Sequence, residues 1–205
     1  MTDGSNQTAP YSLPTWPERL AGAGDAGLKD TPANDPTADL RAWVGGFRDE
    51  FGHRRLSDRL VLRRALGLEA DAADTDPRPE HAVWLAPDAW RELIAEPSAS
   101  GPAPLLPDLH DAGIEAWTEA ELIALHGLAS IADARDRVAR AAEWHVAELQ
   151  PDNATNRPWA IHSFIRLGTP EGEHFAQTML HNCCVTLGKP DIVSAAILRD
   201  AASSL

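Results

Sequence analysis

The sequence has few of the features that usually identify an activity or a compartment. Its 205 residues include two cysteines, Cys183 and Cys184, which are adjacent. Neighbouring cysteines rarely form a structural disulfide, because their Cα atoms are too close for relaxed geometry. We therefore expect reduced, buried thiols and a cytoplasmic location. The N-terminal residues lack the basic and apolar regions of a secretory signal, which favours the same location.

Long hydrophobic runs, an excess of basic charge and specific motifs are also missing. No stretch approaches the ~18 apolar residues of a membrane span, so we predict no membrane association. The net charge of −13 disfavours nucleic acid and anionic membranes as partners of the chain as a whole. There is no P-loop, no paired CxxC and no HExxH motif. No catalytic class is therefore identified.

The sequence does carry helical patterning, which is strongest in its second half. The composition, 43% apolar and 24% charged, is typical of a globular protein. After residue 116, apolar residues recur at helical spacing between Gly and Pro stop signals. Thr118 followed by Glu121 matches a capping box at the first helix start. We predict a mainly α fold, with a compact antiparallel domain of about five helices over residues 117–205.

The first half is predicted to be less regular. Residues 1–36 contain five prolines and no sustained period, which predicts a disordered tail. Residues 37–68 are predicted to form a smaller helical pair. Residues 69–116 are predicted to form a proline-rich linker, with a short strand at 81–85 and a helix at 87–96.

The helical pair is the basic part of the chain. Between Asp39 and Leu68 it has seven arginines against four acidic residues, a net charge of +3. One interpretation is a nucleic-acid or anion contact through residues 39–68. The favoured alternative is a basic face that docks on the acidic remainder, because DNA-binding domains are usually basic overall.

A polar turn between Pro151 and Pro158 is the first candidate site. Short polar side chains there can hold a tight turn by bonding the nearby backbone. They can also line a pocket for a small polar or anionic ligand, with an arginine to bind the anion and tryptophans as apolar walls. The candidate pocket residues are Trp144, Asp152, Asn153, Asn156, Arg157 and Trp159.

Three histidines are the second candidate site. If the turn joins antiparallel helices, His145 and His162 stand at one height, and the next turn brings His174 within ~3 Å of that layer. Three imidazoles with Asp152 or Glu173 can bind a divalent metal such as Zn²⁺ and activate water. The alternative is that these histidines, like His126, are packed side chains bonded to carbonyls or carboxylates.

Three functional hypotheses follow. The first is a non-enzymatic interaction or scaffold module, whose partner is another protein or a second copy of the chain. The second is a metal-binding protein or metal-dependent hydrolase that uses His145, His162 and His174. The third is the nucleic-acid or anion contact through the basic pair. The first is favoured because the sequence lacks a nucleophile motif, a phosphate loop and an acid pair at catalytic spacing.

Overall fold

The computed structural model describes residues 14–71, 74–97, 100–106, 113–149 and 156–205. Across these ranges the regular elements are α-helices and short 3-10 turns, without a strand, so the predicted mainly α fold is confirmed. The helices are α1 (Trp16–Leu28), α2 (Leu40–Gly45), α3 (Leu56–Ala65), α4 (Pro79–Leu85), α5 (Trp90–Leu93), α6 (Ile114–Leu128), α7 (Arg135–Glu148), α8 (Ile161–Arg166), α9 (Pro170–Val185) and α10 (Ile192–Ser204).

Helices α6 to α10 are the five helices predicted for the C-terminal half. They share a hydrophobic core with residues from the first half, among them Leu20 of α1 and Val61 of α3. Helix α10 lies at the centre of this arrangement, since it packs against α1, α3 and α8. The predicted packing of the basic pair on the C-terminal helices is therefore present, through α3. None of the helices in the described ranges is long and apolar enough to cross a membrane.

Helix α1 corrects the predicted disordered tail from Pro14 onward; residues 1–13 lie outside the described part of the chain. Thr15 and Glu18 form a reciprocal capping box at its start. Pro17 is tolerated because the first helical turn needs no N–H partner. A Cβ on Gly27 would lie 2.5 Å from the Cβ of Ala195, so glycine permits α1 to approach α10 closely.

Two further predictions in the first half are wrong in detail. The helix predicted over residues 37–51 spans Leu40–Gly45 only, because Asp39 caps its start and two glycines end it. The strand predicted at residues 81–85 is part of α4, which begins with Pro79 in its first turn. Helix α4 packs against α6, so the predicted linker contributes to the core.

The predicted capping box at Thr118 and Glu121 is also wrong. Helix α6 begins at Ile114, so both residues lie inside the helix, and both are buried. The carboxylate of Glu121 bonds a distant segment of the chain instead. Further along, Cys183 and Cys184 are free thiols, but they are only partly buried, so the prediction of buried thiols is wrong.

Candidate functional site

A groove between α6 and α7 holds residues 100–106 by their main chain. We define this α6–α7 groove by Glu121, Arg137 and Arg140. The Glu121 carboxylate accepts hydrogen bonds from the backbone N–H of Leu105 at 2.5 Å and of Leu106 at 2.7 Å. The two leucine side chains are buried in the hydrophobic core. The segment is therefore held by hydrogen bonds of its main chain and by burial of two of its side chains.

Two arginines of α7 hold the carbonyl groups of the same segment. Arg137 donates to the carbonyl oxygens of Ala103, at 2.9 Å, and of Pro104. Arg140 donates to the carbonyl oxygen of Gly101 at 3.0 Å. The N–H of Ala103 in turn donates to the Arg140 carbonyl at 3.3 Å. Six main-chain groups between residues 101 and 106 are thus bonded to the groove.

The groove is unusual because two of its three charged residues are buried. Glu121 is 0% exposed and Arg137 is 4% exposed. A buried charge is costly unless it is hydrogen-bonded, and here the peptide groups of residues 101–106 supply those bonds. His145 lies next to the carboxylate, with its Nε2 3.6 Å from Oε1 of Glu121. The fit between groove and segment is therefore a main-chain fit.

A second polar cluster lies in the core between α3, α6 and α10. His126 is fully buried, and its Nε2 is 2.8 Å from Oδ2 of Asp200. Arg64 binds the same carboxylate through Nε at 2.9 Å and Nη2 at 2.5 Å. The guanidinium of Arg64 also lies over the ring of Trp84, which stacks on His126. One aspartate thus joins three helices.

The backbone of Ala160 fixes the protonation state of His126. The N–H of Ala160 donates to Nδ1 of His126 at 2.9 Å, so the ring proton must be on Nε2, which donates to Asp200. Ala160 has a φ of 60°, a left-handed conformation that is rare for an alanine and costs energy. Both nitrogens of His126 are therefore occupied, which leaves no lone pair for general base catalysis.

His162 borders this cluster without joining its hydrogen bonds. Its ring centroid lies 4.6 Å from that of His126, and it is fully buried. Neither of its ring nitrogens has a hydrogen-bond partner. Burial, together with the charges of nearby groups such as Arg166, lowers the pKa of His162 well below its usual value. The ring is consequently neutral at physiological pH.

The pKa values of His126 and Asp200 are both lowered, which keeps His126 neutral and Asp200 charged. Burial lowers the pKa of His126 more than the nearby Asp200 raises it. Burial alone would raise the pKa of Asp200, but the hydrogen bond from His126 and the charge of Arg64 hold it well below its usual range. The result is a neutral imidazole bonded to a carboxylate that Arg64 neutralises.

The predicted three-histidine layer is not assembled. His145 and His162 are buried, whereas His174 and Glu173 are exposed on α9. His145 packs near Phe164, and His162 packs near His126. Nowhere in the described ranges do three His, Cys, Asp or Glu residues form a group that could hold a metal ion. The geometry therefore gives the metal hypothesis no support.

The residues of the predicted ligand pocket lie in different parts of the structure. Trp159 lies in the core against Trp84 and His126, whereas Trp144 is half-buried and packs against Trp117. Arg157 is buried and bonds Asp58 at 2.5 Å, so it serves an internal ion pair. Asn156 is exposed, and Asp152 and Asn153 lie outside the described residues.

The partner of Arg157, Asp58, has a shifted pKa. Asp58 is buried, and burial raises its pKa to about 6 although the charge of Arg157 lowers it. Arg157 also lies 3.5 Å from Asp49. The interpretation of this arginine as an anion clamp for a ligand would require it to leave these carboxylates.

The arginines of the basic pair also bind within the chain. Arg55 lies 3.0 Å from Glu119, and Arg63 bonds Asp74. The remaining partners are Glu69 for Arg41, the Gly52 carbonyl for Arg48, the Gly45 carbonyl for Arg54, Asp74 for Arg59 and Asp200 for Arg64. Five of the seven arginines thus pair with carboxylates outside residues 39–68, which supports the interpretation of a basic face that docks on acidic parts of the same chain.

Sequence patterns did not identify Arg64, Asp200, Arg137 or the role of Glu121. One signal was available for Asp200: it falls on the apolar stripe of α10, three residues after Ile197, so it had to be buried and paired.

Comparisons of the chain with protein-family models, with curated proteins and with solved structures found no match.

Proposed function

We propose that this chain is a non-enzymatic protein-interaction module whose α6–α7 groove binds extended segments through their main chain. The observation that supports it is the set of bonds from Glu121, Arg137 and Arg140 to residues 101–106. Every peptide carries the same N–H and carbonyl groups, so such a groove accepts segments of varied sequence. Specificity then comes from the few side chains that enter pockets.

The chemistry of the partner follows from the segment that occupies the groove. Two prolines keep residues 102–104 extended before binding, which lowers the entropy lost on docking. The two leucines after them are buried in the hydrophobic core. We expect a partner segment with proline at alternate positions followed by two large aliphatic residues. Such a segment would offer its carbonyl groups to Arg137 and Arg140 and bury two aliphatic side chains as Leu105 and Leu106 do.

The chain's own segment competes with any such partner. Because it is tethered, its effective concentration at the groove is high, on the order of millimolar or above. A partner must therefore displace residues 100–106, or a second copy of the chain must supply the same segment. The free groove is consequently the form that recruits another protein.

The test uses the full chain, with substitutions that release residues 100–106 from the α6–α7 groove. Leu105→Ser and Leu106→Ser together remove the apolar anchors, while the groove residues Glu121, Arg137 and Arg140 are retained; circular dichroism first checks that the variant is folded. A labelled peptide, Ser-Gly-Pro-Ala-Pro-Leu-Leu, is then titrated and followed by fluorescence anisotropy. We expect saturable binding to the double variant and weaker binding to the unaltered chain, whose groove is occupied.

The matched control is the same peptide with N-methyl groups on both leucines. It keeps the side chains but lacks the two N–H donors that Glu121 needs, so we expect its binding to be lost. A folded double variant that binds both peptides equally, or neither, would contradict the proposal. A dimer held together by exchanged segments is a separate outcome, detected by ultracentrifugation, and would identify a second copy as the partner.

Amide hydrogen exchange tests the groove without disabling the segment. In the unaltered chain we expect slow exchange at the Leu105 and Leu106 amides, which Glu121 holds. Glu121→Gln replaces one acceptor oxygen by an N–H donor, so at least one of the two amides should exchange faster. Fast exchange at both amides in the unaltered chain would remove the basis of the proposal.

A further inference from the structure

A cleft of about 870 Å³ opens where α8, the start of α7 and the end of α10 meet. It is separate from the α6–α7 groove in its lining. Its polar side chains include Ser130, Arg135, Asp136, Ser163, Arg166 and Ser204. Its size is within the range of sites that take small organic ligands.

Ser163 is the first observation that points to a ligand. It borders the cleft, is 2% exposed, and its hydroxyl has no hydrogen-bond partner. A buried hydroxyl without a partner costs stability, and such groups are uncommon in native structures. A ligand acceptor or donor in the cleft would satisfy it.

The charges of the cleft point to the kind of ligand. Arg166 donates to the carbonyl oxygens of Ala129, at 2.8 Å, and of Ser204, and neither partner carries a negative charge. Burial and the positive charge of Arg135 lower the pKa of Arg166, so two arginines of the lining are close enough for their charges to repel each other. Against them stands one side-chain carboxylate in the lining, that of Asp136. An anion would relieve this repulsion.

The start of α7 adds to the same potential. This 14-residue helix begins at Arg135, on the cleft, and continues directly from a 3-10 turn, Ala132–Ala134. The dipole of a helix gives its N-terminal end a positive potential that attracts negative charge. Apolar walls complete the cleft, formed by Ile131, Val138 and Leu167.

We propose that this cleft binds a small organic anion, whose oxyanion contacts Arg166, Arg135 and Ser163 and whose apolar part packs on Ile131, Val138 and Leu167. Carboxylates and phosphate monoesters share this chemistry. Arg166 supplies donors in a planar fork suited to either group. Ser163 donates its hydroxyl hydrogen to the oxyanion and thereby gains its partner.

The test compares three probes on the intact chain by isothermal titration calorimetry: phenyl phosphate, benzoate and inorganic phosphate. We expect the two aryl anions to bind more tightly than inorganic phosphate, which lacks the apolar part. The tighter of the two aryl probes identifies the headgroup. Failure of all three to bind at millimolar concentration would overturn the proposal.

Three variants test whether anion binding depends on the arginines of the cleft or only on the net charge of the chain. Arg166→Gln should weaken aryl anion binding about tenfold or more, because a hydrogen bond to a charged group is lost. Arg41→Gln removes the same charge from exposed α2 and should leave binding unchanged. Equal effects of the two changes would overturn the site. If Arg166→Gln fails to fold, Arg135→Gln, an exposed change, takes its place with the same expectation.

Ser163→Ala gives a readout that a merely structural role would not produce. Removal of an unpaired buried hydroxyl should raise the melting temperature of the free chain, while it weakens binding of the aryl anion. A rise in melting temperature with unchanged affinity would show that Ser163 does not contact the ligand and would contradict the proposed contact.

Discussion

The carboxylate of Asp200 accepts a hydrogen bond from His126 at 2.8 Å, although 74 residues separate them in the chain. Both side chains are buried, and Arg64 completes the group from a third helix. Because Ala160 occupies the second nitrogen of His126, the imidazole is fully engaged. These hydrogen bonds connect α3, α6 and α10, so their removal should lower the free energy of unfolding.

Asp200→Asn should destabilise the fold by about 3 kcal/mol or more. The change leaves the guanidinium of Arg64 without its counter-charge in a largely buried place, and breaking one partner of a buried pair is strongly destabilising. The measurement is urea denaturation at neutral pH, followed by circular dichroism.

Asp133→Asn is the matched control for that substitution. Asp133 also pairs with an arginine, Arg91, but both side chains are more than half exposed. Exposed pairs contribute about 0–1 kcal/mol, so we expect a small effect. Similar losses in the two variants would mean that burial of Asp200 does not strengthen its interactions.

His162→Leu should change how stability depends on pH. In the folded chain the pKa of His162 lies well below its ordinary value of 6.5, so the ring stays neutral while the unfolded chain takes up a proton. The unfolded state therefore binds more protons below pH 6.5, and stability contributed by this group is lost as the pH falls. Leucine abolishes that proton uptake.

The free energy of unfolding of the two proteins is compared over this pH window. As the pH falls, the free energy of unfolding of the leucine variant should increase relative to that of the unaltered chain, by up to about 1.4 kcal/mol per pH unit. Using a difference removes other groups, such as Asp58, whose raised pKa of about 6 acts in the opposite direction. A difference that stays constant with pH would contradict a neutral, buried His162.

Gly27→Ala and Gly22→Ala should have opposite effects although both lie on α1. A methyl group at Gly27 would meet the Cβ of Ala195 at 2.5 Å and the carbonyl oxygen of Pro190 at 2.8 Å. Overpacking of this kind costs about 1–3 kcal/mol. At Gly22 the added Cβ has nothing within 4 Å, so alanine should stabilise the helix by about 0.5–1 kcal/mol.

Urea denaturation of the two glycine variants is the measurement. Loss of stability at Gly27 together with a gain at Gly22 would support the close approach of α1 and α10. A gain at both positions would mean that the two helices are not in contact where Gly27 lies.

The helices that the sequence predicted best are those with long apolar stripes. Helices α9 and α10 each run for more than three turns, and Pro170 and Asp191 mark their starts. Helix α1 was missed because Pro17 and the three glycines of the segment resemble a loop, whereas the proline lies in the first turn and two of the glycines face α10. The five residues 81–85 are too few to distinguish a helix from a strand by period.

The sites were harder to predict than the helices, for a physical reason. Glu121 follows Thr118 at the spacing of a capping box, but its partners are the Leu105 and Leu106 amides. Main-chain groups are present at every residue, so the bonded segment has no side-chain pattern that a sequence could display. Arg157, predicted to bind an anion, is paired with Asp58, which lies 99 residues away. Pairings at such distances do not follow from local spacing.

The way in which the α6–α7 groove holds residues 101–106 has a consequence for how this part of the chain can evolve. Substitutions at Pro102 or Ala103 leave most of the bonds to Glu121, Arg137 and Arg140 in place, since those bonds use backbone atoms. An insertion or deletion would instead move each N–H and carbonyl past its partner. In homologous chains we therefore expect residues 102 and 103 to vary in type, while the segment keeps its length and its two buried aliphatic residues.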